Sequence, residues 1–124
     1  MAGARFSGPR LDALVRAKIL GVRAGNRHRY TGVWVVVVER RVFVRSWNGE
    51  PTGWFHAFLA EPAGAIQLGG REILVRGIRI RSPRLRQAVT AAYAAKYDTK
   101  ASLRWVRGFA AAGRLERTLE FVPR

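Results

Sequence analysis

The sequence contains no cysteine, so disulfide bonds, cysteine-ligated zinc, iron–sulfur clusters and thiol catalysis are all excluded. No apolar run approaches the roughly 18 residues that a transmembrane helix requires. Acidic residues are scarce: eight Asp and Glu stand against 23 Lys and Arg, which gives a net charge of +15. There are two histidines and no HExxH motif or three-ligand cluster, so we expect no metal site.

Several catalytic signatures are also missing. The sequence has neither a GxGxxG nor a GxxxxGK[ST] motif, which argues against dinucleotide and P-loop phosphate chemistry. No GxSxG elbow marks a nucleophilic serine, and the acids form no obvious carboxylate pair. No catalytic residue is therefore predicted, and any redox activity would come from a bound cofactor.

The size and composition are those of one globular domain spanning residues 1–124. The chain weighs 13.9 kDa, with 48% hydrophobic and 25% charged residues. Residues 1–18 lack the apolar stretch of a secretory signal, so we expect a cytoplasmic protein.

The positive charge favours an anionic partner, either a phosphate-bearing small molecule or nucleic acid. The alternative is a solvated basic surface produced by a preference for arginine codons. Because the positive residues are spread along the chain and form no tail, nucleic acid is not the favoured partner, and we expect no membrane association.

The order of predicted elements indicates a mainly β protein with helices (α+β). The pattern predicts helices from Pro9 to about Ala17, over Trp54–Ala60, from Ser82-Pro83 to Lys96, and from Thr99 to Gly113; strands are predicted over Ile19–Arg23, Val33–Val38, the VFVRS segment, Gly64–Leu68, Glu72–Ile80 and Leu115–Val122. Strands in hairpins pair antiparallel, so a small closed or half-open barrel with flanking helices fits best.

The strand Val33–Val38 has six consecutive apolar residues and no alternation, so both of its faces need cover. A covering helix or a partner subunit would supply it. A chain of this length has few layers, and we therefore expect a homodimer.

Gly77 is predicted to form a β-bulge in the strand Glu72–Ile80. The bulge would place Ile73, Val75, Ile78 and Ile80 inside and leave Arg76, Arg79 and Arg81 outside. Such an arginine row is what a nucleic-acid binder would use against the phosphate backbone.

A polar and aromatic cluster follows the first hairpin. Arg45 offers a fork of donors, Ser46 a hydroxyl, and the turn at Asn48 and Gly49 offers main-chain amides, so this segment can hold a phosphate. Trp47 can cover a flat ring. The alternative is an arginine at the barrel rim followed by an ordinary turn.

Three residues outside that segment are further candidates. Trp54 can also cover the ring, although it can equally plug the core. Arg23 and Arg27 lie in or beside the loop that precedes Val33 and can help to bind an anion; the alternative is a solvated basic loop.

Four blocks of sequence resemble a bacterial family, domain-of-unknown-function family 2255. They are VWVVVVERRVFVRSWNG from Val33, the segment Gly64–Gly70 downstream of Trp54, AAYAAKY at Ala91–Tyr97, and the ending TLEFVPR. The resemblance runs from about Leu11 to Arg124. That family is similar to the flavin-binding split-barrel superfamily, which includes pyridoxamine phosphate oxidase-like proteins.

The resemblance implies a six-stranded antiparallel split barrel, a homodimer, and ligand pockets at the subunit interface. By position, Arg45, Ser46, Asn48 and Gly49 match phosphate-contacting groups of split-barrel proteins, and Trp54 packs beneath their loop. Thr90 replaces an acid that often precedes the tyrosine block. The expected function is therefore an FMN- or deazaflavin-dependent oxidoreductase; the alternative is a cofactor-free dimeric module that binds an anionic small molecule or nucleic acid.

Overall fold

Six antiparallel strands close on one another in a computed structural model that describes residues 5–124. The elements are α1 (Gly8–Arg16), β1 (Ile19–Ala24), β2 (Thr31–Val38), β3 (Arg41–Arg45), α2 (Trp54–Ala60), β4 (Ala63–Leu68), β5 (Arg71–Arg79), α3 (Pro83–Lys96), a 3₁₀ turn (Lys100–Ser102), α4 (Leu103–Phe109), α5 (Ala112–Leu115) and β6 (Thr118–Pro123). The strands follow the order β1-β2-β3-β6-β5-β4 around a closed barrel. The predicted six-stranded antiparallel barrel with flanking helices is confirmed.

Local signals explain most element boundaries. The Ser82 hydroxyl accepts a hydrogen bond from the Leu85 amide at 3.2 Å, with proline next in the chain, as the sequence predicts for a helix start. The β4–β5 hairpin turns through Gly69 and Gly70, both at positive φ. The β2–β3 hairpin uses the same left-handed geometry at Glu39 and Arg40, at φ 54° and 61°.

The two faces of β2 are buried in different cores of the same chain. Val33 and Val35 lie inside the barrel, whereas Val36 lies outside it in a second core with Val89 and Tyr93 of α3. The predicted burial of both faces is thus confirmed, and α3 supplies the cover. Packing of β2 alone therefore does not require a partner subunit.

The predicted bulge at Gly77 is wrong. Gly77 pairs with Phe121 in an unbroken ladder between β5 and β6. A Cβ at this position would lie 2.9 Å from Cδ1 of the buried Phe58 ring, and one at Gly64 on the neighbouring strand would lie 2.8 Å from Cε1 of that ring. Glycine is therefore needed here because a side chain would collide with the Phe58 ring. The alternation of inward and outward residues continues unchanged through Gly77.

Regular alternation reverses the predicted positions of Ile78 and Arg79, whereas Ile73, Val75 and Ile80 are buried as predicted. Leu74 and Ile78 lie outside the barrel, 46% and 43% exposed, with Arg76 between them. Arg79 is half-buried, and its guanidinium lies 5.9 Å from the ring centroid of Phe55. The predicted outward row of Arg76, Arg79 and Arg81 is therefore not formed.

The end of the chain also differs from the prediction. Helix α4 ends at Phe109, and Gly113 lies inside α5. The amides of Arg114 and Leu115 donate to the carbonyl of Ala111, so this segment forms a helical turn. Strand β6 consequently begins at Thr118, three residues later than predicted. Among residues 5–124, no helix is both long and apolar enough to span a membrane.

Candidate functional site

All four tryptophans of the chain line one open cleft of about 680 Å³ beside the barrel. The residues around it are Ile19, Gly32, Val33, Trp34, Arg45, Trp47, Asn48, Trp54, Trp105 and Phe109. They come from β1, β2, α4, the start of α2, and the end of β3 with the segment that follows it. We call this feature the tryptophan cleft. Its volume falls within the range of small-molecule binding sites, about 300–1,000 Å³.

Trp34 is fixed by tyrosines of the α3 region. Its ring stacks on Tyr97 with centroids 4.1 Å apart and planes 5° apart, and it meets Phe109 edge-on at 6.0 Å. Its carbonyl accepts a hydrogen bond from the Tyr93 hydroxyl at 2.9 Å. The Tyr97 hydroxyl lies 2.7 Å from the carbonyl of Lys18. One wall of the cleft is therefore rigid before any ligand binds.

Trp47 is held by arginine. The Arg114 guanidinium lies 3.5 Å from the Trp47 ring centroid, and its Nε donates to the Trp47 carbonyl at 3.0 Å. Arg117 donates to the same carbonyl at 2.7 Å. A Cβ on Gly108 would overlap the Trp47 ring, so this glycine makes room for the indole. Trp47 therefore has little freedom to move.

The remaining two tryptophans differ in exposure. Trp105 is 39% exposed at the rim and meets the edge of Trp47, with centroids 4.9 Å apart. Trp54, the first residue of α2, is half-buried. Trp54 also lines a second, smaller cavity, and so forms a common wall between the two spaces.

Arg45 lies in the wall of the cleft and is only 2% exposed. Its Nε donates to the Thr118 hydroxyl at 2.9 Å, and its NH1 donates to the Thr90 hydroxyl at 2.7 Å and the Phe109 carbonyl at 3.0 Å. Its NH2 donates to the Arg86 carbonyl at 2.9 Å. These acceptors are all neutral. Burial lowers the pKa of Arg45 to about 10.

The predicted phosphate segment is largely occupied by its own contacts. The buried Ser46 hydroxyl donates to the Asn48 carbonyl, and the Ser46 amide donates to the Arg117 carbonyl at 3.0 Å. Asn48 is exposed and lines the cleft, whereas Gly49 is exposed and lies against the Arg117 side chain. Four of the five N–H groups of Arg45 have protein acceptors. The role of these residues as phosphate anchors stays a prediction.

Arg23 and Arg27 do not line the tryptophan cleft. Arg23 forms an ion pair with Glu72 at 2.8 Å and covers the ring of Tyr30 at 4.6 Å. It lines the second cavity, whereas Arg27 is exposed in the turn after β1. Within residues 5–124, no group of three or more His, Asp or Glu side chains is placed to bind a metal ion.

Sequence reasoning found part of the cleft and missed part of it. The candidates Arg45, Trp47, Asn48 and Trp54 do come together. Ile19, Trp34, Trp105 and Phe109 were not predicted to line a site. Trp34 lies within an apolar run that indicates core, and Trp105 comes on a helix far along the chain. The one available signal was the presence of four tryptophans in so short a sequence.

The fold and the cleft define a small antiparallel β-barrel protein with flanking helices and an aromatic groove. The family model "Uncharacterized protein conserved in bacteria (DUF2255)" matches residues 12–120, so the chain belongs to this family. The structure is also similar to the crystal structure of conserved hypothetical protein Rv2991 from Mycobacterium tuberculosis, with a TM-score of 0.58 and 11% identity. The match covers 100% of this chain and 84% of that one and shows a shared fold alone. No curated protein matches the sequence.

Proposed function

We propose that the protein binds a planar, negatively charged cofactor in the tryptophan cleft, with FMN or a deazaflavin as the leading candidate. The convergence of all four tryptophans on one cleft carries this proposal. Indole rings offer flat apolar area and stack on other ring systems at favourable geometry. Two of them, Trp34 and Trp47, are already fixed by neighbouring side chains, so binding does not have to order them.

The charge of Arg45 supports a ligand with negative charge. Its guanidinium is buried in the cleft wall and has only neutral acceptors among residues 5–124. A buried cation without a counter-ion is costly, and an anion bound nearby offsets part of that cost. The net charge of +15 also attracts a negatively charged ligand, and does so over a longer distance than Arg45 alone.

The activity proposed for such a complex is that of an oxidoreductase. A flavin or deazaflavin supplies hydride or electron transfer when bound, and the chain binds it, orients it and sets the local charge. Trp34 and Trp47 would hold the ring, and Arg45 would favour its negatively charged form. None of the residues around the cleft is an Asp, Glu or His, so the proposal assigns no general acid or base to them.

Intrinsic tryptophan fluorescence tests the proposal directly, because every indole in the chain lines the cleft. Titration with FMN, or with a deazaflavin, should quench the emission with a saturable curve. Trp105→Ala should weaken binding by about 0.5–1.5 kcal/mol, the scale of one aromatic pair. Leu103→Ala removes an exposed apolar side chain from the same helix outside the cleft and should leave affinity unchanged. Absence of saturable quenching by either cofactor would refute the proposal.

An apolar rim around the cleft supports a second part of the proposal, a homodimer. Ile19 is 58% exposed and Trp105 39%, and both line the cleft. A second copy covering this rim would close the groove over a bound ring. Since two copies at +15 repel each other, the dimer should strengthen with salt. Light scattering that finds a monomer at micromolar concentration and physiological salt would contradict this arrangement.

Single-stranded nucleic acid is the competing ligand for an aromatic groove on a basic protein. Its binding weakens steeply with salt, because each phosphate contact releases counterions. Titration of an unlabelled oligonucleotide at two salt concentrations therefore separates the two functions. A steep salt slope with tight binding, and no response to flavin, would assign the cleft to nucleic acid instead.

A further inference from the structure

A second cavity of about 180 Å³ also has Trp54 in its wall and lies between the loop after β1 and the start of α2. Its polar wall consists of Arg23, His28, Arg29, Thr31 and Thr52. We call it the small cavity. At roughly 30 Å³ per water molecule, it holds about six waters. That is room for one tetrahedral oxyanion and too little for a tricyclic ring.

The polar groups of the small cavity are those that anion sites use. Two guanidinium groups, an imidazole and two hydroxyls line it, and no carboxylate does. Glu72, the acid that pairs with Arg23, is bound by NH2 of Arg23 at 2.8 Å and by the Tyr30 hydroxyl. Arginine forks, hydroxyls and histidine are the donors that recognise phosphate oxygens.

Arg23 also carries an unused donor. Its Nε is buried and has no hydrogen-bond partner among residues 5–124, although the ion pair fixes NH2 of the same guanidinium. A buried N–H without an acceptor is energetically unfavourable. Because this atom is closed off from solvent, a ligand reaches it only after the Arg23 side chain moves, so the proposal rests on the exposed donors of the cavity wall.

Trp54 connects the small cavity to the tryptophan cleft, since it lines both. A ligand whose ring lies against Trp54 in the cleft is therefore next to the residue that also lines the small cavity. Arg45 and Ser46, by contrast, are largely used by contacts within the protein. The ring and the anion would therefore bind in different spaces, the ring in the tryptophan cleft and the anion in the small cavity.

We propose that the small cavity is a phosphate-binding subsite, with Arg29 and Arg23 as its cationic groups and His28, Thr31 and Thr52 as further hydrogen-bond donors. In this arrangement the phosphate belongs to the ligand whose ring occupies the tryptophan cleft. Only that link to the ring rests on the proposed function, because the anion site itself is argued from the residues that line the small cavity.

Proton NMR with inorganic phosphate tests the subsite without any flavin. The chain has two histidines: His28 lines the small cavity and His56 lies in α2 and does not. At constant ionic strength, phosphate should shift the His28 imidazole resonance saturably and leave that of His56 in place. The resonance that disappears in the His28→Gln variant identifies His28. Arg29→Ala should weaken this binding about tenfold.

The matched control is Arg10→Ala, which also removes one positive charge, from an exposed position on α1 outside the small cavity. It should leave the phosphate affinity unchanged. A His28 resonance that does not move, or an equal loss in both variants, would overturn the subsite, since either result reduces phosphate binding to general attraction by the net charge.

Comparison of riboflavin with FMN then tests the link between the two spaces. Wild-type protein should bind FMN more tightly than riboflavin, and Arg29→Ala should reduce that difference about tenfold while leaving riboflavin affinity unchanged. Equal affinities for both flavins in the wild type would refute the link but not ring binding in the cleft. A phosphate response of His28 with no flavin binding would instead refute the proposed function and leave the subsite standing.

Discussion

Replacement of Gly77 by alanine tests the packing on which the barrel depends. An added Cβ would lie 2.9 Å from Cδ1 and 3.3 Å from Cγ of Phe58, whereas carbon atoms rest at about 3.5–4.0 Å. The ring is buried and also packs against Phe121 with centroids 5.1 Å apart, so it has little room to retreat. Overpacking of this kind costs about 1–3 kcal/mol. Alanine also lowers the conformational entropy of the unfolded chain, which by itself would raise the free energy of unfolding by about 0.4–1 kcal/mol.

The steric clash should outweigh the entropy effect, so Gly77→Ala should destabilise the protein by about 1–2 kcal/mol. For a domain of this size, this loss lowers the melting temperature by about 4–8 °C. Thermal unfolding followed by circular dichroism measures it, with Gly8→Ala as control, since no atom lies within 4 Å of a Cβ at that position. Phe58→Leu should relieve the clash, so the double variant should be more stable than additivity allows. Additivity within about 0.5 kcal/mol, or a stabilised Gly77→Ala, would refute the reasoning.

Three further predictions concern charged groups. Lys96 donates to the carbonyl of Val35 at 2.7 Å, and burial lowers its pKa to about 8 from 10.5. The unfolded chain therefore binds more protons between these values, so the free energy of unfolding should rise from about pH 8 to 10, and Lys96→Met should flatten this rise in urea titrations. Thr90→Asp should place a carboxylate beside Arg45. Because this carboxylate would neutralise the buried charge, the melting temperature should rise and FMN binding should weaken. An unchanged FMN affinity would show that the charge of Arg45 is not used in binding. Arg114→Ala removes the cation over Trp47 and should red-shift tryptophan emission and weaken FMN binding; an unchanged spectrum would contradict the clamping of this ring.

The sequence predicts the architecture because the relevant signals are local. The apolar run at Val33–Val38, the Gly69-Gly70 turn and the Ser82-Pro83 helix start each fix an element within a few residues. The error at Gly77 has a non-local cause. Its conformation depends on Phe58, which lies 19 positions earlier in the chain on a helix that packs across the strand. No pattern within the strand itself distinguishes a bulge from a space left for a ring.

The cleft was predictable only where its residues adjoin in sequence. Trp47 and Asn48 follow the first hairpin, and a cluster of polar and aromatic residues there already indicates a site. Trp34 reaches the same cleft from β2 through packing against Tyr97 and Phe109, and Trp105 reaches it from α4 through contact with Trp47, so these contacts span most of the chain. The role of Arg45 shows the limit of composition. A strand-end arginine indicates anion binding, but its burial and four protein acceptors become visible only once α3 and β6 are in place.

The unusual charge has a structural source that also bears on function. Among residues 5–124, three arginines form ion pairs with carboxylates, whereas five donate to main-chain carbonyls: Arg45, Arg86, Arg114, Arg117 and Arg124. In a chain with few acids, carbonyl oxygens serve as acceptors for guanidinium forks, a geometry that lysine does not reproduce. A carbonyl binds the fork without cancelling its charge. Because Arg114 and Arg117 hold Trp47 and Arg45 lies beside it in the wall of the cleft, the contacts that build this groove also make it positive, as the proposed binding of an anionic ligand requires.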